Sequence, residues 1–342
     1  LFLLSGYGIL QLFRLRLNPV YTVTLSLLLG VAMASFMPFL MQLFYIPLTA
    51  ASIFIVLTAT ALLLSVPTWM RIRREGIGIL RTGLLPRRFK IQPYEIPYWM
   101  IIGFLIFVSV WRCYYLPPIS RDALSGPEAI AEVAVREHTM INSFFSIDLW
   151  STNNQFKSPF LISLQLIYKL AGFPFGQVWL SIVFISFTIF LYHALQEKVH
   201  PVIAGLLMLI FVMTPEMYAY TFMILYDYSN TVFFFLGLYY LFGYFSNQDS
   251  RYFYFSGLLI GIAAYIRSET VALALLFLPP ILLMQRRAKM PWAKMALSEA
   301  LFYLPSLIAY ILTTQIWIRY YLPVHYDVGG LLNKHLTDLS PL

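Results

Sequence analysis

Residues 97–116, PYWMIIGFLIFVSVWRCYYL, form an apolar run that leads directly into a polar stretch at 117–128, PPISRDALSGPE. A straight helix needs about 20 apolar residues to cross the hydrocarbon of a bilayer, and the first stretch has that length. Pro117 and Pro118 end the helix where the polar residues begin. We therefore predict a membrane-spanning helix that places Asp122 just beyond one membrane surface.

The composition of the whole chain agrees with this interpretation. Of its 342 residues, 60% are hydrophobic and only 11% are charged. Soluble domains carry about 25% charged residues, so this chain has too little polar surface to face water on all sides. The single cysteine, Cys113, excludes an internal disulfide framework and a cysteine-based zinc site.

We predict an all-α, polytopic transmembrane helical bundle with about ten spans. The shorter apolar runs need flanking aromatic residues or a locally thinned bilayer to cross. Because the chain begins at Leu1 inside an apolar run and stops soon after a polar segment, we expect further residues at both ends. The apolar runs lie near 1–13, 19–45, 47–70, 97–116, 177–196, 201–214, 229–245, 252–266, 271–285 and 296–318.

The net charge of +8 is concentrated in short loops between the apolar runs. Such clusters are typical of cytoplasmic loops, and we prefer this interpretation to nucleic-acid binding. The parity of the spans then places the loop 117–156, a loop near 215–229 and the residues after 319 on the outer side. The three cation clusters are Arg14 and Arg16; Arg71, Arg73, Arg74, Arg81, Arg87, Arg88 and Lys90; and Arg286, Arg287, Lys289 and Lys294.

One run, 157–172, begins and ends on the outer side in this topology, so we predict an amphipathic juxtamembrane segment there. The predicted organisation has three parts. Residues 1–96 form an N-terminal transmembrane hairpin region with a basic cytoplasmic loop. Residues 97–318 form the transmembrane core, with an outer loop at 117–176, and residues 319–342 form a further outer loop.

The first predicted outer loop contains most of the candidate functional residues. Asp122 is a candidate catalytic carboxylate, although it also suits a helix cap or a pair with Arg121. A helical pattern then runs from Pro127 to about Thr139, with Pro127 suited to the first turn and Ser125 or Gly126 near the cap. In that helix Glu128 and Glu132 either face a ligand or pair with Arg136 on a solvated face.

Two later features lie on the same predicted side. Asp227 follows Thr214-Pro215 and an aromatic stretch, and a carboxylate at a membrane boundary should face water or a partner. Arg267 either holds a phosphate or pairs with Glu269 at the interface. Asn153 and Asn154 either bind sugar hydroxyls or make a turn. Phosphate-cradling glycine loops, nucleophile elbows and spaced histidine pairs are missing from the sequence, which gives no support to ATP-driven transport or serine hydrolysis.

In order and spacing, these features resemble the membrane-embedded GT-C glycosyltransferases, which include dolichyl-phosphate-mannose protein mannosyltransferases and the bacterial lipid A aminoarabinose transferase. The resemblance covers roughly 97–285 and leaves the hairpin 19–70 outside. Gly126-Pro127 departs from the family pattern, which has Tyr-His after the serine. The matching pieces are Asp122-Ala123-Leu124-Ser125, Thr152-Asn153-Asn154, Thr214-Pro215 before Asp227, and Arg267 with Glu269.

The resemblance implies an inverting transferase in a bacterial inner membrane. It would move a sugar from a polyprenyl-phosphate donor to a hydroxyl of a glycan, lipid or protein on the non-cytoplasmic face. Asp122 would be the general base, and Asp227 would hold the acceptor or, with Asp122, a Mg²⁺ or Mn²⁺ ion. Arg267 would offset the charge of the leaving phosphate. Further substrate contacts are expected from Glu269, Asn153, Asn154 and Glu128.

Two alternatives come from other classes of protein. The first is a non-catalytic GT-C-like subunit that scaffolds a larger membrane complex, and Gly126-Pro127 leaves room for it. The second is a secondary transporter, which should carry ionisable residues on broken helices at the bilayer midplane. Because the ionisable residues here lie at span ends, the transporter ranks last.

Overall fold

The computed structural model describes residues 1–15, 17–75, 92–146 and 157–321. Within those ranges the chain is helical and contains no strand. The helices are α1 Phe2–Phe13, α2 Pro19–Leu43, α3 Ala50–Glu75, α4 Ile96–Tyr115, α5 Arg121–Leu124, α6 Pro127–Glu137, α7 Pro159–Leu170, α8 Trp179–Gln196, α9 Pro201–Met213, α10 Pro215–Tyr220, α11 Tyr226–Asn247, α12 Ser250–Ile266, α13 Thr270–Leu275, α14 Leu278–Arg287 and α15 Trp292–Tyr310, which continues as a π-helix over Ile311–Tyr321.

The predicted all-α, polytopic bundle is confirmed. Among the described residues, six helical stretches are long and apolar enough to cross a membrane. The predicted runs near 1–13, 201–214, 229–245 and 252–266 are helices as well, but they are shorter or less apolar. The six stretches are Pro19–Leu43, Ala50–Met70, Pro93–Tyr115, Trp179–Gln196, Thr270–Arg287 and Trp292–Tyr320.

The prediction for 157–172 is wrong in one respect, because helix α7 has no lipid- or water-facing side. Every side chain from Pro159 to Tyr168 is buried, and the helix packs between α2 and α6. In the sequence, the spacing of its polar residues Gln165 and Lys169 indicated the water-facing side of a surface helix. Instead they bind other protein groups, so α7 is an internal element of the bundle.

Helices α1 and α2 approach each other at glycines. A Cβ atom added at Gly30 would lie 2.1 Å from the carbonyl oxygen of Phe2, and one at Gly6 would lie 1.8 Å from that of Ser26. Small residues permit this close approach of backbones in membrane proteins. The short helix α1 is thereby held against α2, and Gly8 gives it a similar approach to α3.

We expect Gly30→Leu to destabilise the fold by about 3 kcal/mol, because the added side chain meets backbone atoms that cannot rotate away. Thermal unfolding of the purified protein in detergent measures the effect. Gly103→Leu in α4 is the matched control, since a Cβ at Gly103 has no atom within 4 Å. Equal melting temperatures for the two variants would contradict this account of the packing.

One end of the bundle gathers the basic segments, and we call it the basic end. Arg251, at the start of α12, donates from Nη1 to the carbonyl oxygen of Arg14, with the two atoms 3.0 Å apart. Nδ2 of Asn18, just before α2, lies 2.5 Å from Nε2 of His193 near the end of α8. The chain segments around residues 14, 193 and 251 therefore meet at one end, as the predicted topology requires.

The opposite end gathers the carboxylates of the predicted outer loops, and we call it the carboxylate end. Gln177 donates from Nε2 to the carbonyl oxygen of Leu116, just before the loop that bears Asp122, over 2.6 Å. The hydroxyls of Ser109 and Thr221 are 2.8 Å apart, which ties α4 to the connection before α11. Since Asp227 begins α11, the loops of Asp122 and Asp227 share this end.

Candidate functional site

The frame of the site is the segment Lys157–Ser158, which three separate helices hold in place. The Ser158 hydroxyl donates to the carbonyl oxygen of Tyr265 at 2.5 Å, and the Tyr226 hydroxyl donates to the carbonyl oxygen of Ser158 at 2.7 Å. The Trp317 indole donates to the carbonyl oxygen of Lys157 at 3.0 Å. The start of α7 is thus fixed between α11, α12 and the π-helix.

Three predicted site residues meet beside this frame. Arg267 donates from Nη1 to a carboxylate oxygen of Asp227 in a direct ion pair, and its Nε lies 3.8 Å from a carboxylate oxygen of Glu269. Asp227 occupies the first turn of α11, and Arg267 caps the C-terminus of α12. Each charge therefore has the sign that its helix end favours.

The ion pair borders a cavity of about 100 Å³. Lys157, Arg267 and Glu269 supply its charged lining, with Ser158 and Thr313 among the polar groups. A guanidinium has five N–H donors, and the close ion pair with Asp227 uses one nitrogen of Arg267. The Ser158 and Thr313 hydroxyls already donate to backbone carbonyl oxygens, so the groups suited to the oxygens of a phosphate are the cations of Lys157 and Arg267, with the Glu269 carboxylate beside them.

Sequence reasoning did not select Lys157. Its Nζ atom lies 5.6 Å from the centroid of the Tyr226 ring, which places the ammonium group beside the start of α11. One signal was available in the sequence, because Lys157 comes directly before Ser158-Pro159 at a helix start. A cation is unfavourable at that end of a helix dipole, so its presence there indicates a purpose other than helix stability.

Asp122 lies in a short helix, α5, that the sequence did not predict as separate from the helix beginning at Pro127. Its side chain is exposed, while its neighbour Ala123 is fully buried and anchors the turn. The predicted helix from Pro127 is confirmed, with Gly126 at the cap and Pro127 in the first turn. Asp122 accordingly lies on an anchored turn, four residues before that helix cap.

Glu128 is engaged within the protein. One of its carboxylate oxygens lies 2.7 Å from Nζ of Lys169, and the other accepts from Nε2 of Gln165 at 2.5 Å. Gln165 also accepts a hydrogen bond from the Trp179 indole at 2.8 Å. Glu132 pairs with Arg136 at 3.0 Å, as one of the two sequence interpretations predicted, and with Lys169 at 3.1 Å. Through these contacts Glu128 joins α6 to α7.

We expect Lys169→Met to cost about 3 kcal/mol of stability, because the largely buried Glu128 carboxylate loses its countercharge. Thermal unfolding in detergent measures this loss. Arg136→Met is the control, since Arg136 is exposed and its pair with Glu132 contributes little. A Lys169→Met variant as stable as the control would show that the buried pair does not join the two helices.

The second ion pair of Lys169, with Glu132, predicts an acid-sensitive contribution to stability. The hydrogen bond from Lys169 lowers the pKa of Glu132 below its ordinary value. A carboxyl with a lowered folded-state pKa stabilises the fold at pH values above its unfolded-state pKa and loses that contribution as the pH falls through the folded-state value. Unfolding measured between neutral and strongly acidic pH should therefore show a smaller acid-induced loss in Lys169→Met than in the wild type.

Two further predictions concern substrate and metal contacts. Asn153 and Asn154 lie outside the described residues. Within the described ranges, histidine, cysteine, aspartate and glutamate side chains form no group of three or more suited to a metal ion. Asp227 is moreover already paired with Arg267. Among the described residues, no third ligand of these types joins Asp122 and Asp227, and the requirement for Mg²⁺ or Mn²⁺ stays a prediction.

An apolar groove runs along the side of the bundle, and we call it the lateral groove. It encloses about 540 Å³ between α1, α2, α12 and α15, with a lining that is almost wholly apolar. Between Leu301 and Leu312 it follows about 16 Å of helix axis. Its far end reaches Tyr265 and Leu312, and the next residues along these helices, Ile266 and Thr313, line the polar cavity.

Comparison with known proteins bears on the same part of the chain. Residues 159–318 match the family model of the dolichyl-phosphate-mannose-protein mannosyltransferases, a domain of the GT-C superfamily. No curated protein and no solved structure matches the chain. The matched segment runs from α7 into the π-helix and includes Asp227, Arg267 and Glu269, whereas Asp122 precedes it. The resemblance to the GT-C glycosyltransferases is confirmed over this segment.

Proposed function

We propose that this protein, whose residues 159–318 form a GT-C-type glycosyltransferase domain, moves a sugar from a polyprenyl-phosphate donor to an acceptor hydroxyl at the carboxylate end. One observation carries the proposal. The lateral groove reaches Tyr265 and Leu312, and the residues that follow them, Ile266 and Thr313, line the cavity that holds Arg267. An apolar groove next to a cation site at one level of the bundle suits a donor with a long hydrocarbon tail and a phosphate at its end.

The dimensions of the groove suit that tail. Its length of about 16 Å is close to half of the ~30 Å hydrocarbon thickness of a bilayer. Rim residues such as Leu12 and Leu301 are apolar and well exposed, which favours contact with lipid. A polyprenyl chain can therefore enter from the bilayer and lie against α2 and α15, while its phosphate reaches Arg267.

In the proposed reaction the acceptor oxygen attacks the anomeric carbon as the bond from that carbon to the phosphate oxygen breaks, and the configuration inverts. Asp122 takes the proton of the acceptor hydroxyl. Arg267 and Lys157 offset the negative charge that develops on the leaving polyprenyl phosphate. Asp227 fixes the guanidinium of Arg267 through the ion pair, and Glu269 lies on the other side of the same group.

The sidedness of the site is also part of the proposal. The basic end carries Arg14 and Arg251, and short basic loops face the cytoplasm in multi-pass proteins. The carboxylate end then faces the non-cytoplasmic side, which for a bacterial protein means the periplasmic surface of the inner membrane. The acceptor, whether glycan, lipid or protein, meets the donor there.

Narrowing the lateral groove tests the proposal. We expect Met33→Trp to raise the KM for a sugar donor with a full-length polyprenyl chain about tenfold, because the added ring occupies the path of the tail. A donor with a ten-carbon chain should be affected much less. Ile210→Trp, at a well-exposed site on α9, is the control. Transfer rates measured with radiolabelled donors report the result.

Two outcomes would count against the proposal. Equal effects of Met33→Trp on the long and the short donor would show that the groove does not hold the tail. Failure of the wild-type protein to transfer sugar from any polyprenyl-phosphate donor, together with copurification of other membrane subunits, would favour the scaffolding function instead.

A further inference from the structure

A second large cavity lies at the basic end, away from the residues of the proposed reaction, and we call it the basic-end pocket. It encloses about 580 Å³, and polar and apolar atoms contribute similar shares of its lining. Its walls come from the start of α2, the end of α8, the second half of α11 and the start of α12. The volume lies in the range typical of small-molecule sites.

The deep wall of the basic-end pocket consists of tyrosines. The hydroxyls of Tyr21 and Tyr239 are 3.2 Å apart, and the rings of Tyr240 and Tyr252 lie 5.6 Å apart with 32° between their planes. Tyr240 is 1% exposed, and its buried hydroxyl has no hydrogen-bond partner among the described residues. That hydroxyl is closed off from the pocket, so Tyr240 forms part of the wall behind Tyr239 and Tyr252, whose half-buried rings a bound molecule can reach.

The mouth of the basic-end pocket carries exposed polar side chains, namely Glu197, Lys198 and Asn247. Asn18 also lines the pocket, but its oxygen accepts the Tyr21 backbone N–H at 3.0 Å and caps α2. Glu197 and Lys198 have opposite charges, so the lining has no net charge that would attract a phosphate. The recognition groups at the mouth are a carboxylate, an ammonium and an amide.

We propose that the basic-end pocket binds a glycosyl group. The half-buried rings of Tyr239 and Tyr252 suit the C–H face of a pyranose, and Glu197 and Asn247 suit its hydroxyls, which a carboxylate and an amide bind well. The glycosyl group belongs either to a free sugar or to the head group of a glycolipid.

Saturation-transfer NMR on the full-length protein in phosphatidylcholine nanodiscs tests the proposal, with methyl β-D-glucopyranoside as the soluble probe. We expect saturation transfer to the probe and a dissociation constant about tenfold higher in Glu197→Gln, since hydrogen bonds to a charged acceptor are the stronger kind. Tyr252→Leu should also weaken binding, because it removes a ring that the ligand can reach. Tyr254→Leu is the matched control, because Tyr254 lies on α12 outside the pocket lining.

A second arm separates the two sources of the glycosyl group. Nanodiscs that contain a diglucosyl diacylglycerol should suppress the probe signal if the natural ligand is a lipid head group, and leave it unchanged if the ligand is a free sugar. Ser246→Trp fills the mouth of the pocket and should abolish binding in both arms. Because Ser246 is exposed, this substitution should disturb folding less than a substitution in the buried wall of the pocket.

The proposal is overturned if the wild type shows no saturation transfer to the glucoside, or if Glu197→Gln, Tyr252→Leu and Ser246→Trp all bind the glucoside like the wild type. Displacement of the glucoside by choline would also overturn it, in favour of an ammonium ligand. Arg267→Gln separates this pocket from the donor site. Binding that is unchanged in Arg267→Gln belongs to the basic-end pocket, and binding lost in that variant belongs to the donor site.

Discussion

Asp122→Asn is expected to abolish sugar transfer while folding and membrane insertion stay intact. A positioned general base contributes about 10²- to 10⁴-fold to a rate, and asparagine keeps the shape of the side chain but cannot take the proton. Asp122 is exposed on the short helix α5, whose anchor is the buried Ala123, so the fold loses little. The measurement is the turnover of a polyprenyl-phosphate sugar by purified variants in the same detergent.

The control for this prediction is Glu216→Gln. Glu216 is another exposed carboxylate at the same end of the bundle, where it accepts a hydrogen bond from Tyr220 at 2.7 Å. Its loss should leave turnover near the wild-type value. Full activity in Asp122→Asn would remove Asp122 from the mechanism, and an equal loss in both variants would point to a general effect of charge at this surface.

Arg267→Gln is expected to lower kcat about 10²- to 10³-fold, with a much smaller effect on stability. Removing one preorganised donor from a developing negative charge has an effect of that size. The ion pair with Asp227 is 39% and 49% exposed on its two sides, and exposed pairs contribute at most about 1 kcal/mol. A large loss of rate with a nearly unchanged melting temperature would therefore identify a functional group.

Asp227→Asn distinguishes two functions for the partner carboxylate. If Asp227 acts by fixing the guanidinium, its loss should slow transfer less than the loss of Arg267, and the double variant should be no slower than Arg267→Gln alone. Additive effects would assign Asp227 a separate function, such as holding the acceptor. Arg136→Gln is the control for the arginine, and a fully active Arg267→Gln enzyme would refute the anion site.

Much of the fold could be predicted because the length of an apolar run shows which residues form a membrane-spanning helix. The run 97–116 became the helix Ile96–Tyr115, and Pro127 began a helix as its fixed backbone angle suggested. The parity of the predicted spans puts the segment before residue 19 and the connection between 245 and 252 on one side, and Arg251 does contact the backbone of Arg14. The two helix predictions used information local to one segment.

The rest depends on contacts between segments that are distant in the sequence. Arg267 and Asp227 are 40 residues apart, and several partners for each were compatible with the sequence. Helix α7 contains Gln165 and Lys169 at spacings that also suit a surface helix, so its burial depended on partners in other helices. The hairpin 19–70 lay outside the recognised resemblance, yet α2 packs on α7 and α8 and lines the lateral groove.

The hydrogen bond from Trp317 to the carbonyl oxygen of Lys157 spans 160 residues of sequence. One consequence concerns assembly of the protein during synthesis. A nascent chain that has emerged only to residue 310 already contains Asp122, Asp227 and Arg267, but it lacks the indole that fixes the backbone at Lys157. The ammonium group should therefore settle beside the guanidinium only after the π-helix that carries Trp317 has packed, later than the residues up to 310.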